Sequence, residues 1–192
     1  MLDKLDADDT QRTSAHRLIS RIKETNEYQD LYKLLGFEYV LDHKGSLNLP
    51  NLLEKESFDL VVSAGVLEHI SAKDASDFVD GIAALMKPGG YSVQGINIRD
   101  HLYQYDNTVS IKQYLQYPDY VWKLCFENDV QYINRIQRSD WLTLFGKAGL
   151  VLVEEEVEKE DLSGVKVAKI YQKYEENDLR CGGLIIVHRK PV

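Results

Sequence analysis

The stretch Phe58-Asp59-Leu60-Val61-Val62-Ser63 constrains the fold more than any other part of the chain. Its β-branched, nearly unbroken apolar run predicts a strand covered on both faces, because a strand with one wet face alternates instead. An amphipathic helix follows over Asp74 to Met86, with Phe78, Val79, Ile82, Leu85 and Met86 on one side. Lys87-Pro88-Gly89-Gly90 stops it, since proline cannot continue the hydrogen-bond ladder. We read those four residues as a structural turn without chemistry. Tyr91 to Ile98 alternates and reads as the next strand. Strand, helix, strand is the repeating unit of an α/β sheet with helices on both faces.

The flanks extend this pattern. Asp9 to Leu35 is predicted helical with a break near Asn26, capped by Asp8 or Asp9 and closed by Gly36. Phe37 to Leu41 is a short strand candidate, and Asp42 to Pro50 a loop. Arg99 to Arg138 is rich in aromatic residues, with helical pieces expected at Ser110–Leu115 and Tyr120–Phe126. Ser139 is expected to cap a helix that Gly149 closes. Leu150 to Val153 begins a strand running into Glu154–Glu158, Val165 to Tyr174 reads as a polar helix, and Gly183 to His188 is the last strand. The spacing leaves open whether the last two strands pair as a hairpin. At 192 residues the chain is expected to form a single domain. Its segments are 1–36 (helical), 37–98 (partial cofactor-fold core), 99–149 (substrate or lid helices) and 150–192 (terminal strands).

Charge narrows the partners. Lys plus Arg is 23 and Asp plus Glu is 31, a net charge of −8, which repels phosphate backbones and argues against nucleic acid. No run approaches the length needed to span a bilayer, and Met1 to Asp6 is too polar for a signal peptide. A cytoplasmic protein without membrane contact is therefore expected. Cys125 and Cys181 have no metal-ligand spacing and read as buried thiols, so no metal site is expected.

Glu56 to Ile70 followed by Leu85-Met86-Lys87-Pro88-Gly89-Gly90-Tyr91 resembles class I S-adenosylmethionine-dependent methyltransferases, of the small-molecule type 11 kind. The two blocks are similar to that family's fourth strand with its loop and the turn into its fifth strand. Asn134 to Phe145 with Ala148-Gly149-Leu150 is similar to its later helix and sixth strand. The resemblance runs from about Phe37 to the end of the chain. It implies a Rossmann-like sheet, S-adenosylmethionine as cofactor and a small-molecule methyl acceptor. It also implies that Ser63, Ala64, Gly65, Leu67 and His69 border the cofactor, at the carboxyl end of a strand where such sheets bind ligands. Glu68 reads as a first-turn acid offsetting a helix dipole rather than a catalytic group.

The sequence departs from the family in one respect that matters. The family grips its cofactor with a glycine-rich loop after the first strand, where the backbone must approach the ligand without side chains. Before Phe58 the glycines are Gly36 and Gly45, each alone. Gly45-Ser46 also stands where the family often places an Asp-Ala pair near the adenine, with Asp42 as a possible substitute. The first two strands are therefore expected to be missing, with Met1 falling just after the second. The bare edge of Leu60-Val61-Val62 should then be covered by the N-terminal helix or by another chain, as in a homodimer.

Arg99 to Asp106 follows the fifth strand onto the same rim. There His101, with His69, is the candidate general base. The alternative is that Tyr103 and Tyr105 pack a lid and His101 is an ordinary loop residue. Arg135 and Arg138 either hold an anionic substrate or pair with surface acids. Two functional readings remain: a methyltransferase portion that is weak or inactive by itself, and a methyltransferase-like binding or dimerisation module.

Overall fold

The computed structural model describes residues 8–25, 27–41, 49–128 and 132–192. It divides into two compact units, Met1–Gly45 and Ser46–Val192. In the first, α1 (Asp9–Glu24) is closed at its start by a capping box: the Asp8 side chain accepts from Gln11 N while Gln11 reaches back to Asp8 N. The helix α2 (Tyr28–Leu35) ends at Gly36, whose φ of +69° is the left-handed turn glycine adopts cheaply. Asn26 itself lies outside the described residues, as do 42–48. Phe37 to Leu41 forms no strand; Phe37 and Tyr39 instead pack their rings on Tyr32.

The second unit holds a short helix, α3 (Leu49–Leu52), and then the sheet. β1 (Phe58–Ala64) leads through α4 (Ala75–Leu85) to β2 (Met86–Asn97). Beyond come α5 (Asp119–Cys125), α6 (Arg138–Lys147), β3 (Val151–Lys159), α7 (Glu176–Leu179) and β4 (Cys181–Arg189). The strand order is β1-β2-β4-β3, with β1 and β2 parallel and the other pairs antiparallel. β3 and β4 thus pair directly, which answers the question the spacing left open. Phe58 pairs with Met86 but Leu60 already with Tyr91, so Lys87 to Gly90 bulge out of the ladder, with Gly89 at φ +82°.

Three further expectations fail. First, α4 and α6 touch each other and both pack on the sheet, so they share one face. Ser92, Gln94, Ile96, Leu184, Ile186 and His188 face them and are buried. The opposite face carries Leu60, Val62, Tyr91 and Ile185, all exposed, so within Ser46–Val192 β1 is not covered on both sides and that unit's helices do not flank both faces. A run such as Leu-Val-Val reports apolar character on both sides but not what lies against it. Second, Gln137 rather than Ser139 precedes the first turn of α6, and Ser139 N donates to Asp178 Oδ1 at 3.1 Å. Third, Val165 to Tyr174 is mostly irregular, with one 3-10 turn at Lys169–Tyr171. Tyr171 is buried there and anchors the segment without a continuous helix. The core beneath the helices is built on Trp141, Phe145, Tyr114, Leu67, Met86 and Ile82.

Candidate functional site

Because β1, β2 and β3 run in one direction and β4 against them, a single rim collects the residues after Ala64, Asn97 and Lys159 and those before Cys181. In α/β sheets this carboxyl rim is where ligands bind. At its centre Gly65 turns the chain at φ +68° while its N–H donates to Gly95 O at 3.1 Å. A 3-10 turn follows at Leu67–His69.

That turn is held by a residue the sequence reading did not single out. Asn134 N donates to Glu68 O at 2.9 Å, and its Nδ2 donates to Leu67 O at 2.7 Å and Ile70 O at 2.9 Å. One asparagine thus donates to three carbonyls of the turn, of which Leu67 O also accepts within it, from Ile70 N at 3.3 Å. Glu68 is buried; its Oε1 accepts from Asn97 N at 3.3 Å, and Oε2 has no protein partner. It therefore ties the turn to the end of β2 rather than offsetting a helix dipole.

His69 stays exposed beside this clamp, with Nδ1 2.7 Å from Tyr132 O. A carbonyl can only accept, so Nδ1 carries a proton, and Nε2 is the nitrogen that is free to accept in the neutral ring. The His101 ring lies 5.2 Å away, centroid to centroid, tilted by 51°. His101 opens the 3-10 turn His101–Gln104, which Asp100 caps by accepting from Leu102 N at 2.9 Å. Burial, and then the neighbouring His69, push His101 below the usual imidazole range, so it is neutral at pH 7. Burial pushes the Asp100 carboxyl up. The fold thus brings together two histidines separated by a strand and a helix in sequence.

The other candidates separate. Ala64 and Gly65 line a cavity of about 220 Å3 together with Gly95, Asn97 and Arg99. Ser63 points to the helix-covered side, where its Oγ donates to Gln94 Oε1 and it borders Phe78 and Ile82. The Leu67 side chain is fully buried in the core. Arg135 and Arg138 are committed to protein partners. Arg135 donates to Tyr171 Oη at 2.8 Å and Asp119 at 2.9 Å and lies over the Trp122 ring, while Arg138 pairs with Glu155 and Asp178. Of the two roles open to these arginines, pairing with acids is the one observed. Tyr105 is largely exposed, and Tyr103 borders a second, larger rim cavity of about 590 Å3. Among the described residues, no cluster of His, Cys, Asp or Glu gathers to hold a metal ion. Cys125 is exposed and Cys181 buried, so one of the two thiols departs from expectation.

S-adenosylmethionine can be tested against this geometry. Gly65 and Gly95 leave a floor without side chains, and a Cβ on Gly95 would already touch Ala64 Cβ at 3.4 Å. The adjoining cavity is smaller than the roughly 300–1,000 Å3 of most small-molecule sites. The residues fit one portion of such a cofactor and do not enclose the whole.

A mixed α/β domain with turns and cavities at one strand-end rim has the layout in which open α/β sheets bind ligands. Residues 14–93 match the profile of the methyltransferase domain family. That match spans 80 of the 192 residues, and over it the chain is similar to the methyltransferase domain. No curated protein sequence matches significantly. Among solved structures, the chain is similar to the Burkholderia thailandensis 1,6-didemethyltoxoflavin-N1-methyltransferase with bound 1,6-didemethyltoxoflavin and S-adenosylhomocysteine. That match has 16% identity and a TM-score of 0.51, covering 89% of this chain and 59% of that one. A protein of Bacillus halodurans C-125 assigned to the methyltransferases matches at 19% identity and a TM-score of 0.49, over 82% and 79% of the two chains. No helix among the described residues is long and apolar enough to cross a membrane.

Proposed function

We propose that this chain provides the acceptor side, and part of the cofactor floor, of a small-molecule methyltransferase, and that by itself it transfers methyl groups weakly or not at all. The observation that carries the first half is the His69–His101 pair on the same strand-end rim as Gly65, within or adjoining the family match. S-adenosylmethionine, when bound, supplies an electrophilic methyl carbon on a sulfonium sulfur. The chain's residues then act on the acceptor. Nε2 of His69, or the neutral His101 ring, accepts the proton released as the acceptor's lone pair forms its bond to carbon. Ala64, Gly65 and Gly95 let a ligand lie directly against the backbone. Asn134 holds the turn so that orientation is fixed in advance, and many methyl transfers need little more.

The small cavity and the solitary glycines before Phe58 support the second half. Titration with S-adenosylmethionine, followed by amide NMR, tests both halves. Shifts at Ala64, Gly65 and Gly95 only at millimolar ligand are expected. No shift at saturation would remove the methyltransferase reading, while micromolar affinity with sustained turnover would remove the claim of weak activity.

The second reading, a binding or dimerisation module, draws support from β1. Its outer edge has no strand partner among the described residues, and Leu60 and Val62 beside it are exposed. An unpaired apolar edge invites another chain. Paired antiparallel about Val61, two copies would set Leu60 opposite Val62 with no like charges facing. Light scattering should find a dimer that Val62→Lys converts to monomer. A monomeric wild-type chain would rule this assembly out.

A further inference from the structure

The cavity of about 590 Å3 lies between the 101–116 segment and the loop after β3, and its size falls within the range of small-molecule sites. Its wall contains hydroxyls and amides, from Thr108, Ser110, Gln113 and Ser163, two carboxylates, Glu160 and Asp161, and no cationic side chain. Such a wall repels anions and supplies many hydrogen-bond groups to a polar guest. We infer that this cavity is the acceptor subsite and that it selects a positively charged, amine-bearing, hydroxylated small molecule over neutral or anionic analogues. The inference rests on the methyl-acceptor reading of the rim and adds the acceptor's chemical class.

Three features carry it. Asp161 is exposed, and its carboxylate is held ionised by Ser163, whose N–H donates to Oδ1 at 2.9 Å and whose hydroxyl donates to Oδ2. Glu160 is bound by Arg99, but that guanidinium is shared with Glu158, so one positive charge stands between two negative ones. Tyr103 adds an aromatic ring, and a ring face attracts ammonium groups. Its backbone belongs to the same 3-10 turn as His101, which links the subsite to the candidate base. A protonated amine held by Asp161 would lose its proton to an imidazole before acting as nucleophile.

The test uses three six-carbon polyols of one shape and different charge: glucamine, sorbitol and gluconate. Binding to the whole chain is followed by amide NMR without cofactor, so its outcome is independent of S-adenosylmethionine affinity. Glucamine is expected to bind best and to shift Ser110, Gln113 and Ser163. Asp161→Asn should weaken glucamine about 3- to 10-fold, the scale of one partly screened ion pair, and leave sorbitol unchanged. Gluconate binding as well as glucamine, or glucamine affinity indifferent to Asp161→Asn, would overturn the inference. If glucamine binds as expected but S-adenosylmethionine shifts nothing, the subsite stands and the methyl-transfer reading falls.

Discussion

Acidifying the protein from pH 7 to 4 should destabilise it by about 3 kcal/mol through His188 alone. His188 sits in β4, is 1% exposed and stacks on Phe145, the rings 4.6 Å apart and 17° from parallel. Its Nδ1 has no protein partner. Burial pushes the imidazole down from 6.5 to about 4, with Glu155 pulling weakly the other way. The unfolded chain therefore takes up a proton near pH 6.5 that the folded chain refuses until about pH 4. Between those values the unfolded state binds more protons, so stability falls as the pH falls, and the effect levels off once both states are charged. Carboxylates titrate in part of the same window, but they do so equally in a His188→Leu variant. The difference between the two urea-unfolding free energies isolates the histidine. The variant should lie within about 1 kcal/mol of wild type at pH 7, where it exchanges a stacking contact for relief of an unpaired nitrogen. It should become the more stable protein at pH 4.5. Parallel curves across the range would show that His188 is not held neutral.

The same residues show what the sequence could reveal. The β1-α4-β2 unit was legible because its periodicities are strong and Lys87 to Gly90 punctuate it. α1 and α2 were legible from Asp8 and Gly36, whose cap geometry is local. The pairing of His69 with His101 could be suspected from the shared rim, but the decisive partner, the Tyr132 carbonyl, is a backbone atom with no sequence signature. Asn134 was passed over for a related reason. An asparagine before a helix usually caps it or turns the chain, and nothing local says that its amide reaches back across more than sixty residues to Leu67 and Ile70. Arg135 and Arg138 were left between two roles because their acids come from α5, β3 and α7, which only the fold brings near. The single-sided packing of the sheet was hidden because burial is decided by neighbours and not by the strand itself.

Replacing Lys112 by methionine should cost progressively more as the pH rises from 7 to 9, the deficit growing by about 2 kcal/mol. Lys112 is fully buried, and its Nζ donates to Ile98 O at 3.0 Å, Cys181 O at 2.8 Å and Tyr114 Oη at 2.7 Å. It thereby joins the end of β2, the start of β4 and the segment that carries the rim residues. Burial pushes its amine down from 10.5 to about 7. Below pH 7 both states are protonated and the folded one bears the cost of a buried charge. Above it the folded amine is neutral while the unfolded one still holds its proton, so stability rises with pH and the penalty is relieved. Methionine cannot titrate, and it leaves the Ile98 and Cys181 carbonyls short of a donor. Above pH 9 the wild-type rise should level off, and the stability of the methionine variant should fall. Burial pushes the Cys181 thiol up to about 11, so the unfolded thiol ionises first and favours unfolding. Urea unfolding of the two chains at pH 6, 7, 8 and 9 is the measurement. A constant gap would mean that Lys112 keeps its proton throughout and that three acceptors outweigh the loss of water.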